Sequence, residues 1–389
     1  MSSAETLNEF SQLVVDYVNV FPNAENLYRI YSALVTGYLQ VGRVQDLLGL
    51  LRRLQGVPPT VYTQIAEEIA ERQDLMRDMS DSEQLEYAKD VYALGLNMII
   101  DNTYDHMQHR PQYFTDIAWT YEGMMLEGAV YEAGGDIYYL AGEFAQANDF
   151  YINAIIIQSE NATDVLYQNC INSYLKTGSP DTAYTIASRA IRYSKTNDFV
   201  YAVHDSLYHF QPDTSRAYSA VISELKNEAR DRRTTHLKYA LIREPAPVFT
   251  VSDPSGRVYE IGDFRGRIMI SAFWASWCGP CRIMLSDLNE FYVGKKDNPD
   301  LVIAGINVWE QTTSADEDVD EFLNENDFDF PIYIDKTGIL PQKFNLSGLP
   351  VAAIIDQQGF LRYKTQGYPG PEKFRQRLED VIFLLESDK

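Results

Sequence analysis

One short stretch restricts the fold of this chain more than any other. An apolar run, Ile268-Met269-Ile270-Ser271-Ala272-Phe273-Trp274, is followed after three residues by Cys278-Gly279-Pro280-Cys281. The run has the length and apolarity of a buried strand, and the segment from Arg282 to about Tyr292 has the apolar spacing of a helix. A strand that delivers two cysteines to the start of a helix is a place for thiol chemistry. The first turn of a helix offers unpaired N–H groups and the positive end of the dipole, and both stabilise a thiolate on the leading cysteine. That thiolate attacks a disulfide, and the second thiol resolves the mixed disulfide by closing the ring.

Other uses of the pair fit poorly. Zinc needs about four ligands, yet no histidine follows His236 and no cysteine follows Cys281, so no metal is expected. A peroxide-reducing site is disfavoured because Ala275, rather than Thr or Ser, stands three residues before Cys278. With 3 cysteines in 389 residues, a structural disulfide framework is excluded, and Cys170 reads as a buried, inert thiol on a helix. The net charge of −23 argues against a nucleic-acid partner, since phosphate binding needs a basic surface. No apolar run approaches the roughly 18 residues of a membrane span. Met1-Ser2-Ser3-Ala4-Glu5-Thr6 has neither a basic nor an apolar leader region, so no export signal is expected in this sequence.

Around the cysteines the chain alternates strands and helices. Strands are expected at Val248–Val251, Arg257–Ile261, Ile268–Phe273, Leu301–Val308, Pro331–Ile334, Val351–Ile355 and Leu361–Thr365. Helices are expected at Cys281–Tyr292, Val319–Asn326 and Glu372–Leu385, which together make an α/β layer on a central sheet. Glu244-Pro245-Ala246-Pro247 reads as the end of a linker, giving an α/β domain over 248–389 behind a linker at 241–247.

Residues 1–240 have a different pattern, with apolar and aromatic side chains at three- and four-residue steps. Tyr38, Tyr138 and Tyr174 each stand four residues before a glycine, at Gly42, Gly142 and Gly178. Leu47, Ala147 and Ala183 follow five residues later, and Leu54, Ala154 and Ala190 twelve later. This is a helix, a glycine-assisted turn and a second helix whose small residues admit a close partner. The pattern resembles tetratricopeptide repeats, whose period is about 34 residues. The tryptophan usual in those repeats is absent, and no copy is visible between about 60 and 125. An all-α helical repeat domain is therefore expected ahead of the α/β domain, with a peptide or protein as its ligand.

Residues from about 245 to the end resemble thioredoxin-fold proteins of the TlpA-like branch, extracytoplasmic thiol–disulfide oxidoreductases. Four features carry the resemblance: Ala246-Pro247-Val248-Phe249 with Gly266-Arg267; the stretch Phe273–Arg282; an inserted unit at Trp309–Asn326; and Gly348-Leu349-Pro350 before a strand. The resemblance implies that Cys278 is the nucleophile and Cys281 the resolving thiol. It implies that Trp277 packs beside them and that Pro350 is a cis-proline whose neighbour Leu349 offers backbone groups to a substrate. Gly279 and Pro280 resemble the thioredoxin dipeptide, which goes with reducing potentials of about −270 mV. The resemblance thus implies a reductase of protein disulfides with no cofactor beyond the cysteine pair. An electron-donor redox protein would serve as partner, in an extracytoplasmic location, with a cytoplasmic one as the alternative.

Two positions depart from the pattern. Ala272 and Met284 stand where these proteins carry carboxylates that help deprotonate the resolving thiol. Asp287 and Glu290 are the nearest replacements in sequence. The loss also supports an alternative, a non-enzymatic protein-interaction scaffold in which the thioredoxin fold is a structural or peptide-binding module. His106, His109, His204 and His209 read as surface or packing residues, the acidic run Asp316–Glu321 as a solvated helix start, and Asn161-Ala162-Thr163 as a chance glycosylation triplet.

Overall fold

In the computed structural model, which describes residues 4–21, 24, 27–54, 56–72, 75–76, 79–101, 104, 115–212, 214–310 and 315–387, the chain divides into two units. These are Met1–Ala229 and Arg230–Lys389. Their boundary falls within one long helix, Tyr218–Ala240.

The first unit is built from helices: α1 (Ala4–Val20), α2 (Leu27–Gln40), α3 (Val44–Leu51), α4 (Pro59–Glu71), α5 (Asp81–Ile100), α6 (Asp116–Leu140), α7 (Phe144–Gln158), α8 (Asp164–Lys176), α9 (Pro180–Arg192), α10 (Asp198–Tyr208) and the part of α11 (Tyr218–Ala240) up to Ala229. The Tyr–Gly spacing has a physical cause. Gly42, Gly142 and Gly178 have φ of 69°, 77° and 69°, the left-handed region open to glycine. Each closes the preceding helix with a paired turn: the N–H of the next residue donates to the tyrosine carbonyl, at 3.0, 2.9 and 2.9 Å respectively. The same turn ends α9 without a glycine, where Ser194 has φ 56° and the Lys195 N–H donates to the Ala190 carbonyl at 2.8 Å. Ala147, Ala154, Ala183 and Ala190 are wholly buried, as the close approach of α7, α8 and α9 requires.

The stretch that shows no repeat in the sequence is helical nonetheless. Helices α4 and α5 pack on each other and on α6, but the sequence between them, Arg72 to Ser80, contains no glycine. Ser80 starts α5 instead, through a reciprocal cap with Glu83. His106 and His109 lie outside the described residues.

The second unit holds an eight-stranded sheet in the order β1-β8-β7-β4-β5-β6-β2-β3. The strands are β1 (Glu244–Pro245), β2 (Thr250–Ser252), β3 (Val258–Glu260), β4 (Ile268–Trp274), β5 (Leu301–Asn307), β6 (Ile332–Ile334), β7 (Val351–Ile355) and β8 (Phe360–Gln366). The helices are α12 (Gly279–Val293), α13 (Ala315–Glu325), α14 (Leu340–Lys343) and α15 (Pro371–Ser387). Strands β4, β5 and β6 run parallel, while on the other side of β4 strand β7 is antiparallel to it and β8 is antiparallel to β7.

Every residue of β4 is buried, and its alternation divides two cores. Ile268, Ile270, Ala272 and Trp274 pack with residues of α12, α13 and α15, among them Leu285, Phe322 and Val381. Met269 and Phe273 pack on the opposite side with Phe249, Phe264 and Phe344.

Part of the segment read as a linker is an edge strand. Glu244 and Pro245 pair with Leu361 and Phe360, flanked by Ile242 N–H to Arg362 O and Ala246 N–H to Gly359 O, both 3.0 Å. Proline is tolerated there because an edge strand leaves one side of its backbone unpaired. The end of α11 belongs to this unit's core: Leu237 is 2% exposed, and Arg233 grips Asp380 of α15 through two bonds of 2.8 and 2.9 Å.

Candidate active site

The end of β4 delivers the cysteines. After Trp274, Ala275–Trp277 turn the chain and Cys278 caps α12, its backbone extended at φ −87°, ψ 99°. Gly279 and Pro280 form the first turn, where proline's missing N–H costs nothing because that N–H has no intrahelical partner. Cys278 and Cys281 are joined by a disulfide, S–S 2.01 Å. The two sulfurs differ in access: Cys278 is 5% exposed and Cys281 not at all. Of the two residues, Cys278 alone presents surface to solvent.

Strand register brings the proline loop to the same end of the sheet. Phe273 pairs with Val351 on β7, so Pro350 stands level with Trp274 at the edge from which Cys278 departs. The Leu349–Pro350 peptide is cis, and the Pro350 carbonyl accepts the Gly367 N–H at 2.8 Å. Leu349 packs partly into both cores. The sequence-assigned residues Trp277, Cys278, Gly279, Pro280, Cys281, Leu349 and Pro350 thus gather around one end of the sheet.

Ala272 and Met284 are wholly buried in the core under α12. Neither sequence neighbour replaces the missing carboxylates freely. Asp287 accepts a hydrogen bond from the Tyr368 hydroxyl, and Glu290 pairs with Arg375 at 2.9 Å. The Tyr368 phenol is pushed upward, first by burial and then by that bond to Asp287.

Sequence reading missed the groups that hold the approach to Cys278. Glu310 accepts the Ser276 backbone N–H at 2.8 Å, the Ser276 hydroxyl at 2.6 Å and the Asn307 amide at 2.5 Å. Trp277 is half exposed, and its indole N–H donates to the Trp309 carbonyl at 2.8 Å. Arg282 donates to the Ser276 carbonyl at 3.3 Å and lies over the ring of Phe322, which in turn packs on Trp274 with centroids 4.6 Å apart. Parallel pairing of β4 and β5 explains the meeting: Trp274 opposes Asn307, so the residues just beyond each strand are neighbours. A signal existed in the two apolar runs ending in register, but it appears only once their pairing is fixed.

Among the described residues, no group of three or more His, Cys, Asp or Glu could hold a metal ion. No helix among them is long and apolar enough to cross a membrane. Cys170 is wholly buried, and burial pushes its thiol up to about 12. Thr163 of the glycosylation-like triplet caps α8 by accepting the Leu166 N–H at 3.0 Å.

Residues 242–364 match the AhpC/TSA family. A thiol-disulfide oxidoreductase ResA from Bacillus thuringiensis subsp. konkukian is 31% identical over 144 residues, covering 36% of this chain and 76% of the relative. The thioredoxin-like protein YneN of Bacillus subtilis is 27% identical over 136 residues, covering 35% and 78%. The crystal structure of StoA from Bacillus subtilis aligns with 24% identity and TM-score 0.29, over 34% of this chain and 96% of that one.

Proposed function

The chain belongs, through its C-terminal domain, to the thioredoxin-fold thiol-disulfide oxidoreductases of the ResA type, and we propose that it reduces disulfide bonds in protein substrates. The observation that carries this reading is the unequal access of a bonded cysteine pair at a helix N-terminus. In the reduced protein the Cys278 thiolate attacks one sulfur of a substrate disulfide. The substrate's other sulfur leaves as thiolate and takes a proton. Cys281, deprotonated in turn, attacks the Cys278 sulfur, releases the second substrate thiol and leaves the Cys278–Cys281 disulfide. A dithiol redox partner then returns two electrons. The pair needs no further cofactor.

Gly279 and Pro280 support the reducing direction, since this dipeptide accompanies strongly reducing potentials in thioredoxin. Trp277 and Trp309 are exposed at the end of the sheet where the Leu349–Pro350 loop also lies, and this end forms the surface on which a substrate segment lies. The helical unit is of tetratricopeptide type and selects or positions the substrate or the redox partner; the three glycine turns with matched backbone bonds support this. The protein works outside the cytoplasm.

Replacing Cys281 by serine tests the mechanism. Cys281→Ser exposed to disulfide-bonded proteins should accumulate mixed disulfides through Cys278, and these should vanish in Cys278→Ser/Cys281→Ser. No trapped adduct, together with wild-type protein that does not reduce insulin, would leave the scaffold alternative standing.

A further inference from the structure

We propose that Glu310 is a positioning residue for thiol exchange: it fixes the loop that presents Cys278, and its negative charge opposes the Cys278 thiolate. The proposal rests on the reductase reading and names the group that sets how strongly the pair reduces.

The clasp is unusually complete. Residues 275–277 have no regular structure of their own, yet Ser276 is held at every polar group. Its N–H and hydroxyl both go to Glu310, at 2.8 and 2.6 Å, and its carbonyl takes the Arg282 guanidinium at 3.3 Å. Glu310 is itself held from below by Asn307, a buried residue at the end of β5 whose backbone pairs across the sheet. Between them Trp309 has φ 58°, a left-handed conformation that is a genuine outlier for a bulky side chain and holds the backbone under strain. This turn carries the chain from the end of β5 back to the cysteine loop. It also aims the Trp309 carbonyl at the Trp277 indole. A strained residue flanked by two contacts to the same loop indicates that the loop's position is what the turn maintains.

Charge gives the clasp a chemical effect. The hydrogen bonds place two charged groups on this loop, Glu310 and Arg282. The helix N-terminus and Arg282 favour a thiolate on Cys278, while Glu310 disfavours it. Ala272 and Met284 provide no carboxylate from the strand or the helix, so the acidic contribution arrives from the turn after β5. A less stable thiolate means a less stable dithiol relative to the disulfide, and hence a stronger reductant.

Glu310→Gln in the full chain separates this from a merely structural role. A unit charge acting across a partly solvated rim shifts a neighbouring titration by about half to one unit. The pH profile of iodoacetamide alkylation at Cys278 should therefore move down by about that amount. In glutathione buffers the disulfide should become easier to reduce by roughly three- to tenfold, ~15–30 mV at 29.6 mV per tenfold. Arg282→Gln, at an exposed residue, should move the profile in the opposite direction and serves if Glu310→Gln does not fold. Glu310→Asp should restore the wild-type profile, because the charge remains. Loss of thermal stability in Glu310→Gln with profile and potential unchanged overturns the proposal, as does an unchanged profile in Arg282→Gln when the first variant is lost. A wild-type protein that reduces no protein disulfide defeats the reductase reading separately, since the alkylation profile is read without substrate.

Discussion

Glycine-to-alanine substitutions at two helix positions should have opposite signs. Gly135 lies inside α6 and Gly49 inside α3, where alanine is favoured by up to about 1 kcal/mol on helix propensity alone. At Gly49 an added Cβ meets nothing within 4 Å. At Gly135 it falls 2.3, 2.4 and 2.8 Å from Cδ1, Cε1 and Cγ of Tyr151 on α7. That ring has no room to swing: Tyr151 is 1% exposed, and its hydroxyl is tied to Asp136 at 2.7 Å. Asp136 also accepts from Asn169 on α8 at 3.1 Å, so displacing the ring disturbs a third helix. Overpacking of this kind costs about 1–3 kcal/mol, and at separations this short the upper part of the range applies. Gly135→Ala should therefore lose about 1–2 kcal/mol net, while Gly49→Ala gains about 0.5–1 kcal/mol. Urea unfolding followed by far-ultraviolet circular dichroism reads both. Equal stabilisation by the two alanines would refute the close approach of α6 and α7 on which the opposite signs depend.

The remaining expectations concern buried ionisable groups. His204 is wholly buried between Ser188 and Tyr218, and burial lowers it from 6.5 to about 4. The unfolded chain takes this proton first, so the helical unit should lose stability as pH falls from 6.5 towards 4. His204→Gln should flatten that loss by about 2–3 kcal/mol in urea titrations at the two ends of the range. Glu67 behaves in the opposite sense. Burial, with Asp136, Glu71, Glu132 and Glu68 nearby, raises it to about 7, so its ionisation destabilises the fold as pH rises from 4.5 through 7. Glu67→Gln should stabilise by about 1–2 kcal/mol at about pH 8 and by nothing near pH 4.5. In the second unit, Arg233→Leu leaves Asp380, with its side chain 4% exposed, without the guanidinium that grips it. The expected loss is about 3–5 kcal/mol, measured by unfolding of the full chain.

The cysteine pair and its strand–helix setting were legible because the signals are local: an apolar run, two cysteines and a helical period in one segment of sequence. The glycine turns were legible for the same reason, since each is closed by backbone bonds within six residues. The clasp on Ser276 was not. Its members come from the ends of two strands that become neighbours only through parallel pairing, and sequence periodicity does not specify which strands pair. The edge strand Glu244–Pro245 was hidden by Pro245 and by Pro247 just beyond it, which read as a linker unless the partner at Leu361 and Phe360 is known. Tyr368 and Arg375 likewise engage Asp287 and Glu290 from distant elements, so the partners of the two carboxylates nearest the cysteines in sequence could not be read from the sequence around them.

The reduction potential of the Cys278–Cys281 pair is the most direct test of the whole reading. Equilibration of the full chain against defined thiol–disulfide buffers, with the two states resolved by alkylation and mass, should give a value near that of thioredoxin, about −270 mV. A value near about −120 mV would make the protein an oxidant, and a pair that does not cycle would make the fold a scaffold; either result contradicts a reductase built on these two cysteines.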